Sequence, residues 1–124
     1  MVDFLADSYA LVAFLEGNDR YRKIFRRKIL ATTALNVLEV YATLLRRLDG
    51  ELAQEIGSGL LPLVVQVPSE VAFFAGDFRQ RMRSMHRDCS YIDAWGYGAA
   101  RRIGVPFLTG DPAFHGIERV EFVR

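Results

Sequence analysis

Only one cysteine, Cys89, occurs in the 124 residues. That excludes an internal disulfide and any cysteine-cluster zinc site, and a lone thiol suits a reducing compartment. Histidine is almost as scarce: His86 and His115 are the only imidazoles, and they show no zinc-ligand spacing. No apolar run approaches the ~20 residues that span a bilayer. The start, MVDFLADSYALVAFLEG, carries Asp3, Asp7 and Glu16 where a signal peptide has a basic head and an uninterrupted apolar core. The expectation is a cytoplasmic protein without a membrane partner. Nor does one sign of charge dominate: 16 basic against 15 acidic side chains leave +1, so contact with nucleic acid must come from local patches. Neither G-x-x-x-x-G-K-[ST] nor G-x-G-x-x-G occurs, which removes the nucleotide-cradling loops. Repeats, low-complexity stretches and linkers are absent too. The length suits one domain, residues 1–124, able to bury a core without staples.

What is present is alternation. VDFLA (2–6) reads as a short buried strand ending at Asp7, and SYALVAFLEG (8–17) as a helix stopped by Gly17. A strongly basic helix, 18–28, is followed by a weaker strand at 29–33, and Thr33 caps a helix over 34–48. A helical piece at 50–56 leads to LVVQV (63–67), β-branched and bracketed by Pro62 and Pro68, hence a strand. Ser69 is expected to cap the next helix and Ser90 the one after, which Gly104 ends. The pair of glycines in GYG (96–98) falls mid-helix and points to close helix packing. VPFL (105–108) and VEFV (120–123) are the last strands. Strands alternating with helices call for a parallel sheet covered by helices on both faces. In such sheets ligands sit beyond the carboxyl ends of the strands.

Four carboxylates belong at that edge. Asp7 directly follows the first strand, and Asp111 lies just beyond the strand ending at Leu108. Glu39 lies in the second turn of one helix and Asp93 in the first turn of another. Taken singly, each has an ordinary structural use: Asp7 as a helix cap, Asp93 with Ser90 as an S-x-x-D capping box, Asp111 before Pro112 as a turn residue. Together they place like charge at one rim, and repulsion there needs compensation. Glu39 is the only charged residue between Ala34 and Leu45, on a helix apolar nearly all round, which is expected to be buried. A carboxylate so placed needs a partner, and a shared cation supplies one. Clustered carboxylates with few histidines are hard-oxygen donors suited to Mg²⁺ or Mn²⁺.

With these residues in place, the chain resembles the PIN-domain ribonucleases, in particular the VapC-like toxins of VapBC-type toxin–antitoxin pairs. The resemblance rests on FLADSYALVAFLEGN, on Glu39 in LNVLEVYATLLRR, on YIDAWGYGAARRIGVPFLTGD and on GDPAFHGIERVEFV. It implies a three-layer α/β/α domain on a five-stranded parallel sheet of order 3-2-1-4-5. It also implies Asp7, Glu39, Asp93 and Asp111 around Mg²⁺ or Mn²⁺, Ser8 and Thr109 as hydroxyls beside the metal, an RNA substrate, a small antitoxin partner and a homodimer. Tyr9 departs from the small polar residue common two positions after the first Asp.

For RNA contact, RQRMRSMHR offers Arg79, Arg81, Arg83 and Arg87, ranked ahead of DRYRKIFRRK (19–28). Val71, Phe73, Phe74 and Phe78 lie on more than one helix face and divide between core and a subunit interface. Two other functions compete with metal-dependent RNA hydrolysis. One is a non-catalytic PIN-like module binding RNA or protein. The other is a phosphotransfer domain with Asp7 as nucleophile, against which stand Tyr9 and the lack of any lysine after Lys28.

Overall fold

The computed structural model describes residues 1–124. β1 (Phe4–Ala6) leads into α1 (Ser8–Leu15) and α2 (Asp19–Arg27), then β2 (Leu30–Ala31), α3 (Ala34–Leu45), α4 (Gly50–Ser58), α5 (Val71–Ser84), α6 (Tyr91–Ile103), β3 (Phe107–Thr109) and β4 (Val120–Phe122), with 3₁₀ turns at Leu61–Leu63 and Pro112–Phe114. All strand pairs are parallel and the sheet order is β2-β1-β3-β4.

The sheet thus has four strands, not five. The stretch 63–67 does lie beside β2, but only as a single bridge, Thr32 opposite Val64. Its two ladder bonds are Thr32 N to Leu63 O and Val65 N to Thr32 O, each 2.9 Å. Pro62 sits inside the 3₁₀ turn that precedes it and Pro68 closes it, so little chain between them is free to extend a ladder.

Alternation along the strands sorts the core into two layers. Leu5 and Phe107 face a cluster with Phe78, Tyr97 and Phe114 under α5 and α6. Ala6 and Leu108 face the other, with Leu11, Tyr21, Val40 and Leu44 under α1, α2 and α3. The GYG glycines do permit close packing. A Cβ at Gly98 would press on Val71 Cγ1 at 2.8 Å, across the α5–α6 contact, and one at Gly96 would meet the Phe107 ring at 3.0 Å and Asn36 Oδ1 at 3.2 Å.

Two local expectations are corrected. α3 is not buried all round: Val40 and Leu44 are covered, but Leu38 is 55% exposed, because α3 packs by one face only. α5 starts at Val71 without a side-chain cap, and Glu70 pairs with Arg102 instead. In the same helix Val71 and Phe78 are core, whereas Phe73 is 79% exposed.

Candidate active site

β1 and β3 pair with Ala6 opposite Leu108. The next residues outward, Asp7 and Thr109, therefore come level at the carboxyl edge of the sheet, and Asp7 N donates to Leu108 O at 3.1 Å. The Asp7 side chain is buried. Its Oδ1 accepts from Ala10 N at 2.8 Å, the cap that starts α1, and its Oδ2 accepts from the Thr109 hydroxyl. Thr109 Oγ1 accepts in turn from Asp111 N at 3.0 Å, and Asp111 Oδ1 accepts from Ala113 N at 2.9 Å. One relay of hydrogen bonds thus fixes Asp111 relative to Asp7.

Asp93 arrives from α6. Its N donates to Ser90 Oγ at 3.0 Å while Oδ2 accepts from Ser90 N at 3.2 Å, a reciprocal capping box. That use leaves Oδ1 without a protein partner. Glu39, half-buried on α3, takes part in no ion pair or side-chain hydrogen bond; only its backbone oxygen accepts, from Thr43 Oγ1 at 3.1 Å.

No arginine or lysine neutralises these acids. The three ion pairs of the molecule are Arg47–Glu16, Arg81–Glu118 and Arg102–Glu70, all at the surface. Burial pushes the Asp7 carboxyl from an ordinary 3.8 up to about 8; the bonds from Thr109 and Ala10 oppose the shift, and the charges of Asp93 and Asp111 add to it. Burial also raises Asp93, against its Ser90 bonds, with Asp111 and Glu39 adding. Each of the four acids is therefore felt by at least one other, and the group shares one field.

The rim is not a closed ligand cage. No three His, Cys, Asp or Glu side chains stand close enough to hold one ion directly. Mg²⁺ is commonly held by one or two carboxylates, with waters and substrate oxygens completing the shell. Hard oxygens, partly buried and without a counter-charge, fit that manner of binding, and the free Oδ1 of Asp93 is the donor least committed to the protein.

Sequence reasoning missed several residues here. Asn36 is fully buried: Nδ2 donates to Ser8 Oγ at 3.1 Å and Oδ1 accepts from Thr33 Oγ1 at 2.7 Å, tying α3 to the start of α1. An Asn in the first turn of an apolar helix was the available signal, but its partner Ser8 is remote in sequence. Tyr9, the departure from the family pattern, packs its ring over Gly110, 6.2 Å from the ring of Tyr21. Tyr21 donates its hydroxyl to Val123 O, and burial, with Asp7 next, raises its pKa.

The four arginines expected to meet RNA have protein partners in three cases. Arg79 Nε donates to Cys89 O at 2.9 Å and its guanidinium lies 4.1 Å from the Tyr91 ring centre; Arg81 pairs with Glu118 at 2.7 Å. Arg87 Nη1 donates to Ala113 O and His115 O at 2.8 and 2.6 Å. Arg83 has no such engagement and is exposed. In α2, Arg20 donates to the Arg124 carbonyl at 3.3 Å, and Arg20, Arg22, Lys23, Arg26 and Arg27, with Lys28 after the helix, enter no ion pair. At 100° per residue the five helical cations fall on one face, opposite Tyr21, Ile24 and Phe25.

Asp93 and Asp111 line a groove of about 540 Å³ together with His86, Arg87, Asp88, Ser90, Pro112, Ala113 and His115.

The sequence model described as the PIN domain matches residues 4–120. No curated protein matches the sequence. Among solved structures, a DNA-bound VapBC from Salmonella typhimurium superposes with a TM-score of 0.78 at 15% identity, covering 99% of this chain and 98% of that one. A toxin–antitoxin complex from Klebsiella pneumoniae gives 0.76 at 16% identity over 96% of both. VapC20 of Mycobacterium tuberculosis, a toxin that cleaves the sarcin-ricin loop, gives 0.75 at 20% identity over 98% of this chain and 99% of that one. At such identities these three establish a shared fold.

Proposed function

From its place in the PIN-domain family, to which the chain belongs, and from its uncompensated acidic rim, we propose that the protein is an endoribonuclease hydrolysing RNA phosphodiester bonds with Mg²⁺ or Mn²⁺, and the toxin of a toxin–antitoxin pair. The observation that carries this reading is electrostatic. Four carboxylates share one field and none of them forms an ion pair with a basic side chain, an arrangement that is costly without a cation. The toxin role draws on the VapBC complexes among the structural neighbours; a small antitoxin protein and a second copy of this chain are the proposed partners.

Of Asp7, Glu39, Asp93 and Asp111, one or two would hold the cation directly and the others through its waters. When bound, it supplies the charge that activates a water as nucleophile and steadies the leaving oxygen. The chain's own groups do the positioning. Thr109 fixes the Asp7 carboxyl and, through its oxygen, the backbone of Asp111. Ser8, held by Asn36, keeps the first turn of α1 beside α3. The α2 cations and Arg83, none of which forms an ion pair, offer a phosphate backbone sequence-independent attraction. Arg79, Arg81 and Arg87 contribute there with whatever edge their protein bonds leave free.

The test is cleavage of a mixed-sequence RNA in Mg²⁺, in Mn²⁺ and in EDTA, by wild type and by Asp93→Asn. Asn preserves the capping-box acceptor, so the fold is retained. Cleavage only with a divalent ion, and at least about a hundredfold slower for Asp93→Asn, is the expected result. Metal-independent cleavage, or full activity in the variant, sinks the proposal. RNA bound but never cut would instead favour the non-catalytic module.

A further inference from the structure

The groove lined by Asp93 and Asp111 is lined also by Asp88 and by His86, Arg87 and His115, so it takes in the only two imidazoles of the chain, from segments distant in sequence. No Phe, Tyr or Trp lines it, so the imidazoles are its only aromatic rings.

Both are held in place. His86 follows the end of α5 with a left-handed backbone, φ 58°, which histidine adopts more readily than most residues. The His115 ring packs edge-on against Phe122, centroids 4.9 Å apart. Arg87 Nη1 joins the two segments by donating to Ala113 O and His115 O. Since Ala113 N also donates to Asp111 Oδ1, this clamp ties Arg87 to the loop that carries both Asp111 and His115.

We propose that this groove is a ribonucleotide subsite: it seats one unpaired nucleotide adjoining the scissile phosphate, its base against the His115 imidazole and its phosphate against His86 and the free edge of Arg87. The inference rests on the nuclease reading. A volume of about 540 Å³ falls in the range that encloses a small ligand and is too small for a duplex. Single-stranded RNA is recognised by splaying bases onto aromatic or histidine rings. The scissile phosphate belongs beside Asp93 and Asp111 with their cation, and the neighbouring phosphate beside His86 and Arg87.

The experiment compares an unstructured RNA oligonucleotide with versions abasic at each position flanking the cut, using wild type, His86→Asn and His115→Gln. Asn tolerates the left-handed backbone at position 86, and thermal unfolding confirms that both variants are folded. For wild type, removing the base at one flanking position lowers kcat/KM about tenfold, the scale of one stacked base. His115→Gln suffers a similar loss on the intact oligonucleotide and no further loss on the abasic one. His86→Asn raises KM on both substrates by the same factor. The subsite is overturned if wild type is indifferent to base removal, if the His115→Gln and abasic losses multiply, or if His86→Asn leaves KM unchanged. In each of those cases wild-type cleavage still stands as evidence for the nuclease. A wild type that cuts no oligonucleotide with Mn²⁺ removes both.

Discussion

Asp7→Asn is expected to make the metal-free protein more stable at pH 8 and, under the proposed function, to abolish RNA cleavage. The carboxyl is raised from 3.8 to about 8, burial being the largest cause. Below the lower value both the folded and unfolded chains carry the proton, and burial of the neutral acid costs little. As pH rises from about 4 to about 8, the unfolded chain releases the proton and the folded chain keeps it. Stability therefore falls across that window, by up to roughly 1.4 kcal/mol per pH unit. Asn keeps an acceptor for Ala10 N, and its amide can donate to Thr109 Oγ1, so the substitution removes the charge without removing the cap.

In EDTA at pH 8 the melting temperature of Asp7→Asn should exceed wild type by roughly 10 °C, and the difference should vanish by pH 4. Equal melting temperatures at pH 8 would show that the rim bears no uncompensated charge. Millimolar Mn²⁺ should narrow the gap by stabilising wild type alone.

Gly110→Ala is the second large effect, and here the cause is steric. A Cβ at this position would lie well inside contact distance of the Tyr9 ring and of the carbonyl oxygen of Val123. The ring can rotate, but the carbonyl cannot retreat cheaply. Val123 N donates to Thr109 O at 2.9 Å, and Val123 O accepts the Tyr21 hydroxyl. The strain therefore reaches the end of β4, Tyr21 and the loop carrying Asp111. A loss of about 3 kcal/mol or more is expected, read as a fall in melting temperature of roughly 10 °C or more. Tyr9→Ala with Gly110→Ala recovers only part of it, because the carbonyl remains. A single variant as stable as wild type, or full recovery in the double variant, would contradict this account.

The close approach also explains why Tyr9 is tolerated beside the acids. Its ring occupies the space that a side chain at 110 would need.

The sequence made the acidic rim readable because it depends on local rules. A strand ending in Asp7, the T-x-D at 109–111 and the S-x-x-D of Ser90–Asp93 each place a carboxylate relative to its own element, and parallel pairing brings those elements level. Long-range features were not readable in the same way. The β-branched run at 63–67 has strand propensity, but Pro62 and Pro68 leave it one bridge. The apolar residues of α3 gave no sign that only one face is covered, since exposure depends on what packs outside. Arginine partners were equally hidden: Arg81 meets Glu118 and Arg87 meets two carbonyls of the 113–115 loop only after α5 and that loop are brought together. Composition pointed to Arg79, Arg81, Arg83 and Arg87 for RNA without showing that three of them are already bonded within the protein.

The central claim is that acids from separate segments together form a site for divalent cation, and Mn²⁺ titration followed by electron paramagnetic resonance tests it most directly. Wild type should remove free Mn²⁺ from the spectrum saturably. Asp7→Asn, Glu39→Gln, Asp93→Asn and Asp111→Asn should each weaken that uptake, and pairs of substitutions should weaken it less than the product of the single effects. No saturable uptake by wild type, or uptake that survives all four substitutions, would contradict the account.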